Sequence, residues 1–355
     1  MPASYADHRA QLKAILRAWG MPEDNAEITA EVLAWSDLHG IDSHGISMIP
    51  RYDELRRNGR VRMDAGHGSS CRRLCRRLWM AAAGSVMCRR ISPCRRRAIT
   101  KAETVGMAAV AVRSSAHFGA AGFYTLMAAN AGLVGMACTS ASNIQVVPTF
   151  GKQAWLGTDP WSFAAPSADG VPFLLDMATT TVAAGRIRNK VNEKLPAPDG
   201  WLLDREGRPS NDPLVAKEKG GFLTSLGGSP ENSSYKGHGL AVMVNILASC
   251  LSGATLITDP EHTKKPVGTD IGHFFMAIDP AIFRDAADFE SDVATFLGAL
   301  RATIPVDPTQ PVMVAGDPQR KLAEMRRRDG IPVGAGLMAQ VRQIAQAAAV
   351  PWLLD

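Results

Sequence analysis

Apolar positions along the chain recur first at helical spacing, then in short unbroken runs, then at helical spacing again. Residues 1–17 read as a charged amphipathic helix, and residues 25–39 as a second that ends where Gly40 and a polar stretch begin. Residues 107–112 are wholly apolar, with β-branched Val110 and Val112, as a buried strand requires. Residues 119–130 return to small and apolar side chains at helical spacing without proline. From 132 to 165 short apolar runs alternate with turn residues, which predicts strands joined by polar loops of the kind that commonly carry ligands. Residues 174–179 are apolar and then abruptly polar. They predict a strand whose end presents Asp176 to a ligand, or an Asp176 that caps a helix starting at Thr179; the residues leave both open. The polar, proline- and glycine-rich stretch 186–221 predicts a surface wrap. A flexible glycine-rich approach, containing Leu226-Gly227-Gly228 and Lys236-Gly237-His238-Gly239, leads to a long apolar helix at 240–251. Residues 270–279 read as a turn into a buried strand, and helices at 288–301, 318–328 and 337–349 close the chain.

These elements make an α/β protein with helical N- and C-terminal parts. At 355 residues and 46% hydrophobic, it can bury the core of one large or two interwoven domains. The start is amphipathic rather than basic and then apolar, and no run of about 18 uncharged apolar residues exists. No membrane partner is expected, and the default compartment is the cytoplasm. Six cysteines at irregular spacing form neither a disulfide framework nor a C-x-x-C pair, so reduced thiols and no metal are expected.

The formal charge of +5 invites a nucleic-acid reading, but its distribution opposes one. Residues 65–97 hold nine arginines, no lysine, no acid and four of the six cysteines. Taking those nine from the 39 basic residues leaves 30 against 34 acidic ones. The block lacks the interleaved aromatics of a single-strand binder, so no nucleic-acid partner is expected. Arginine pairs, cysteines and alanine runs are what a GC-rich gene yields when read out of frame; a genuine basic or metal-binding insert is the other reading. In either case, nine unpaired arginines predict poor packing as a strand-and-helix unit, with at most a short helix at 71–83.

The candidate chemistry centres on His117, which falls at the turn between the predicted strand at 107–112 and helix at 119–130. Imidazole titrates near neutrality and suits proton transfer, although a lone histidine also serves as a helix cap. Lys236 precedes a helix within a glycine-rich stretch, where backbone N–H groups and a positive charge could meet phosphate. The pattern Gly334-Ala335-Gly336-Leu337-Met338-Ala339 mimics a dinucleotide fingerprint, but too little chain follows it for the rest of that unit. No P-loop, His-Glu-x-x-His or Gly-x-Ser-x-Gly occurs, which leaves phosphoryl transfer, zinc proteolysis and serine hydrolysis unsupported.

Taken in order, Asp37-Leu38-His39-Gly40-Ile41-Asp42-Ser43-His44-Gly45, His117, Leu175-Asp176-Met177-Ala178-Thr179, Tyr235-Lys236-Gly237-His238-Gly239 and Gly272-His273-Phe274-Phe275 resemble the malate/L-lactate dehydrogenase family. That family also includes ureidoglycolate and sulfolactate dehydrogenases and some cyclic-imine reductases. The likeness spans nearly the whole chain, lapses over 65–97 and resumes near Ile99. Since the flanking motifs keep about the family's separation, it favours two compensating frame changes over an insertion. The resemblance implies a homodimer that uses NAD or NADP, with a fold distinct from the doubly wound dinucleotide fold. It implies a substrate-side part at 1–110 and 285–355 and a cofactor-binding part at 111–284. Ser43, His44 and His117 would then line the substrate side, one histidine exchanging a proton with a small carboxylate substrate, a 2-hydroxy or 2-keto acid. Ser140, Asp176, Met177, Ala178, Lys236, Gly237, Gly316 and Asp317 would contact the cofactor. Two departures concern the substrate: Met48 stands where many members carry a carboxylate-binding arginine, with Arg51 nearby, and Arg186 stands where the imine-reducing branch commonly has aspartate. Imine reduction is therefore the alternative activity, and a damaged pseudoenzyme or a basic interaction module are the alternatives outside it.

Overall fold

A computed structural model describes the chain except for residue 1 and residues 65–66, 70–75, 82–90, 142, 219 and 260–269. The N-terminal helices α1 (Tyr5–Ala18) and α2 (Glu23–Leu38) pack against each other and lead through two 3-10 turns to α3 (Ile49–Arg57). Then come β1 (His67–Ser69), β2 (Arg76–Ala81), α4 (Ile91–Val105), β3 (Met107–Ser115), α5 (Ala121–Ala129), β4 (Val134–Thr139), β5 (Trp161–Ala165) and β6 (Phe173–Met177). The middle of the chain supplies α6 (Ala184–Glu193), β7 (Leu202–Leu203), β8 (Pro209–Ser210), α7 (Val215–Glu218), β9 (Phe222–Leu223) and α8 (Tyr235–Asn245). A π turn (Ile246–Cys250) continues α8, and β10 (Ile271–Ile278) is followed by α9 (Ala286–Arg301), α10 (Asp317–Asp329) and α11 (Ala335–Ala347).

The main sheet runs β1-β2-β3-β10-β4-β5-β6, and only the β2–β3 pairing is parallel among the described strands. Alternation along its central strands assigns the two faces. Ala108, Val110 and Val112 of β3 and Phe275 and Ala277 of β10 join a core with α4, α5, the N-terminal helices and α11. Ala109, Phe274 and Met276 turn the other way, onto Val244 and Ala248 of α8 and its π turn. The N- and C-terminal helices thus share the core of the sheet. A small sheet, β8-β7-β9, has its own core around Val146, Leu156, Ile187, Leu202 and Leu223.

Four expectations change. The stretch 186–221 is a folded unit, its strands of two residues being too short to show a period. No helix begins at Thr179, because β6 runs out into a bridge between Thr180 and Ser225, and α6 starts only at Ala184. The helix expected at 240 starts at Tyr235, which puts Lys236 and Gly237 in its first turn. Within the arginine block, residues 67–69 and 76–81 are strand, the latter paired to β3, and 91–97 are helix, against the expectation of irregular packing and of a helix at 71–83; the remainder of the block lies outside the described residues. Among the described residues no helix is long and apolar enough to cross a membrane.

Candidate active site

The turn after α2 is held from below by a buried acid. Asp37 accepts from the Ile46 N–H at 2.6 Å and meets His8 Nε2 of α1 at 2.7 Å. A Cβ on Gly45 would run into the same carboxylate, so only glycine lets the turn close. Arg326 of α10 donates to the Asp37 carbonyl and grips the Asp42 carboxylate at 2.5 and 3.1 Å. With both flanks tied, Ser43 and His44 are presented together, Ser43 Oγ lying 2.8 Å from His44 Nδ1.

His117 arrives from the opposite side. β3 ends at Ser115, and Gly119 then turns the chain toward α5 with a φ of 82°. That angle favours glycine, and Val32 would also meet any Cβ placed there. Tyr52 of α3, 1% exposed, places its hydroxyl 2.8 Å from His117 Nδ1, and the Gly119 N–H donates to the same nitrogen at 3.4 Å. The long Gly119 contact suits a ring protonated on Nε2, whereas the shorter Tyr52 contact serves equally a ring protonated on Nδ1, which donates to the hydroxyl and leaves Nε2 free. The His44 and His117 rings stand 5.3 Å apart, centroid to centroid, at 31°.

Burial, aided by the charges of His44 and His273, lowers the His117 pKa to about 3. Burial also lowers that of His44. Both rings are therefore neutral near pH 7, and since each cation would repel the other, the pair takes up one proton far more readily than two. Beneath them His273 stacks on Phe118 at 4.6 Å and bonds Thr139 Oγ1 through Nδ1 at 2.7 Å, with burial lowering its pKa to about 3 as well.

The pair opens onto a cavity of about 150 Å³. His44, His117, Phe118 and Gly119 form one wall, and Ser140, Asn143, Gln145 and Thr158 supply neutral polar groups elsewhere on the lining. No Lys or Arg is among its lining residues. Met48 packs against the apolar core, and Arg51 is held by Glu54 at 2.7 Å.

The structure thus brings Ser43, His44, His117 and Ser140 together. Asp176 lies on edge strand β6, where it accepts from the Gly122 N–H at 2.7 Å; it caps α5, a helix more than 50 residues earlier, and burial lifts its carboxyl to about 6. Beyond Met177 and Ala178, Thr179 N–H donates to the Thr158 carbonyl at 2.9 Å, and the Thr179 carbonyl accepts from Leu226 N–H at 2.9 Å. Two hydrogen bonds therefore join the cavity wall to the Gly227-Gly228 turn, on which Gly237 of α8 packs through Leu226. Lys236 is exposed there. Gly316 packs on Leu174 of β6, while Asp317 is engaged by Arg301 at 2.8 and 2.9 Å and does not line the cavity. Sequence reading missed Tyr52 and Asp159; Tyr52 shows only as a polar-tipped aromatic eight residues beyond His44, and its role needs a contact across 65 residues. Among the described residues no cluster of three or more His, Cys, Asp or Glu could hold a metal.

A family model described as malate/L-lactate dehydrogenase matches residues 3–342. The chain is 32% identical over 345 residues to the malate dehydrogenase of Pyrococcus horikoshii, covering 96% of this chain and 93% of that one. Its fold superposes on the crystal structure of malate dehydrogenase from Entamoeba histolytica with a TM-score of 0.92, at 29% identity and 99% coverage of both. The delta1-piperideine-2-carboxylate reductase of Pseudomonas syringae superposes with a TM-score of 0.84, at 26% identity, over 97% of this chain and 100% of that one. The paired histidines thus sit in a chain that, by sequence and by fold alike, belongs to the malate/L-lactate dehydrogenase family.

Proposed function

We propose that the protein is an NAD(P)-dependent dehydrogenase that interconverts a small 2-hydroxy acid and its 2-keto acid. The observation that carries this reading is the pair of neutral, half-buried histidines facing a cavity of about 150 Å³, below the roughly 300 Å³ at which drug-sized pockets begin. Oxidising a secondary alcohol requires a base at its hydroxyl, and reducing the ketone requires an acid at the same oxygen. His117 fills both roles when its ring carries the proton on Nδ1 and donates it to the Tyr52 hydroxyl: the free Nε2 takes the hydroxyl proton in oxidation and returns it in reduction. The Tyr52 hydroxyl can donate to Nδ1 or accept from it, so it follows the ring through both protonation states. Burial keeps His117 neutral before substrate enters, and His44, oriented by Ser43, adds to this by the charge it would carry when protonated. Ser140, Asn143, Gln145 and Thr158 offer neutral donors to the substrate carboxylate.

The dinucleotide would supply the hydride acceptor in oxidation and the hydride donor in reduction. The residues present fit it: at the start of α8 Lys236 is exposed, and among the described residues the buried hydroxyl of Ser225 beside Leu226 has no hydrogen-bond partner. With the α8 N-terminus, these would hold a pyrophosphate. Asp176, Met177 and Ala178, continuous with Thr179, belong to the same side. A cofactor part at 111–284 and a substrate part from the two ends remain in this reading, as does a mostly antiparallel cofactor fold unlike the doubly wound one. A homodimer and a cytoplasmic setting also belong to it; Tyr235, Val242 and Ile246 form an exposed apolar stripe along α8 that a second copy could cover.

The test is a panel of 2-keto acids and a cyclic ketimine acid, each offered with NADH and with NADPH. Oxidation of reduced cofactor by one of the 2-keto acids is the expected result. Turnover of the cyclic imine alone would favour the imine-reducing alternative, to which Arg186 bears because the place for a Gly185 Cβ is 3.8 Å from Ser43 Cβ. Inactivity across the panel would favour the damaged pseudoenzyme.

A further inference from the structure

Asp159 is fully buried and, among the described residues, is the carboxylate that bonds both loops of the polar wall. Its Oδ1 accepts from the Ala141 N–H at 2.9 Å and its Oδ2 from the Gly157 N–H at 2.9 Å. Asn245 of α8 supplies a further hydrogen bond from its side chain. The first two donors lie on separate segments of chain. Ser140, Ala141, Asn143 and Gln145 line the cavity from one, and Thr158 and Pro160 from the other. The segments are pressed together, since a Cβ on Gly157 would collide with the Ala141 side chain. Asp159 itself adopts a φ of 33°, in a region most side chains avoid, so the surroundings hold it there at some cost. Burial lifts its carboxyl to about 6, and the donated hydrogen bonds oppose that shift.

The histidines are carried by other parts of the chain, namely the turn after α2 and the turn between β3 and α5. The spacing between polar wall and histidine wall is thus set on the polar side by how these two loops are joined. We propose that Asp159 is a positioning residue that clamps the 139–145 and 157–160 loops into one surface, fixing where the substrate carboxylate rests relative to His117. The proposal rests on the dehydrogenase reading for the identity of the substrate, while the clamp itself rests on the Ala141 bond, which crosses between the loops; the Gly157 bond aims the carboxylate from within its own loop.

Asp159→Asn tests it, because the amide keeps the shape but turns an NH₂ either toward the Ala141 N–H, which breaks the bond between the loops, or toward the Gly157 N–H, which loosens the turn that aims the group. The expected result is a rise in KM for the 2-keto acid of roughly tenfold, with kcat changed far less, as follows when a contact that orients bound substrate is lost. Amide hydrogen exchange should quicken in peptides covering 139–146 and 156–160 and stay unchanged in those covering 113–119. Should Asp159→Asn fail to fold, Asn245→Ala, which removes one of the clamp's hydrogen bonds, should give the same exchange pattern at smaller amplitude. Unchanged exchange in both loops, or a general loss of protection with kcat and KM falling together, overturns the clamp. If wild type turns over no 2-keto acid, the dehydrogenase reading fails, and the exchange result alone decides whether the clamp stands.

Discussion

His117 reaches its place through side chains: buried Tyr52 behind it, half-buried His44 beside it, and buried Phe118 and His273 below. Lys236, by contrast, stands exposed on the first turn of α8, above a glycine turn tied to the cavity through Thr179 by hydrogen bonds of its backbone and hydroxyl. The difference follows from what each place has to do. Proton transfer needs a ring of fixed tautomer in a poorly solvated setting, where its charge state is controlled. Holding a phosphate needs backbone N–H groups and a positive charge that water can reach until the ligand arrives.

Substitutions in the two regions should therefore separate turnover from cofactor affinity. The largest effect is expected of His117→Ala, which should lower turnover by about 10² to 10⁴ while leaving NAD(P)H binding nearly intact. Steady-state rates beside a cofactor fluorescence titration would show this, and equal turnover would remove His117 from its role. Lys236→Ala should do the reverse. Loss of a charge-assisted phosphate contact should weaken NAD(P)H binding by roughly 1 to 3 kcal/mol, and an unchanged dissociation constant would leave the lysine merely covering the start of α8.

Smaller changes sharpen the histidine side. Tyr52→Phe removes one hydrogen bond and keeps the packing, so kcat/KM should fall by about 0.5 to 1.5 kcal/mol in free-energy terms, with cofactor binding untouched. No loss would mean that the Tyr52 hydroxyl only fills space. The most delicate test is pH. Because the His117 pKa is lowered, the neutral base persists as pH falls, and the acid limb of kcat/KM for hydroxy-acid oxidation should lie below the ordinary imidazole value of about 6.5. His44→Gln removes a charge that contributes to the lowering, so the limb should move upward. A fixed limb would show that His44 does not govern the proton.

Much of this was legible in the chain, and the gaps have physical causes. The apolar run at 107–112 and the histidine after it announced β3 and the turn to α5, because both are local patterns. Asp176 pointed correctly to a helix cap but to the wrong helix, since its partner Gly122 is near only in space. Gly237 and Gly239 are poor helix formers and hid the true start of α8, where packing of Gly237 on Leu226 overrides propensity. Tyr52 and Asp159 could not be singled out, as each acts through contacts between distant segments. The arginine pairs of 65–97 argued against regular structure, yet Arg76–Ala81 pairs with β3 through its backbone, which any side-chain sequence can do.

The central claim is that hydride leaves C2 of a 2-hydroxy acid for the nicotinamide while the hydroxyl proton goes to His117. Deuterium placed at C2 of the hydroxy acid that the panel identifies tests it most directly. Wild-type enzyme with oxidised cofactor should transfer the label to the reduced cofactor and release none to water, and His117→Ala should do the same at a rate lower by about 10² to 10⁴. Label appearing in water, or cofactor left unreduced by the wild type, would contradict the account.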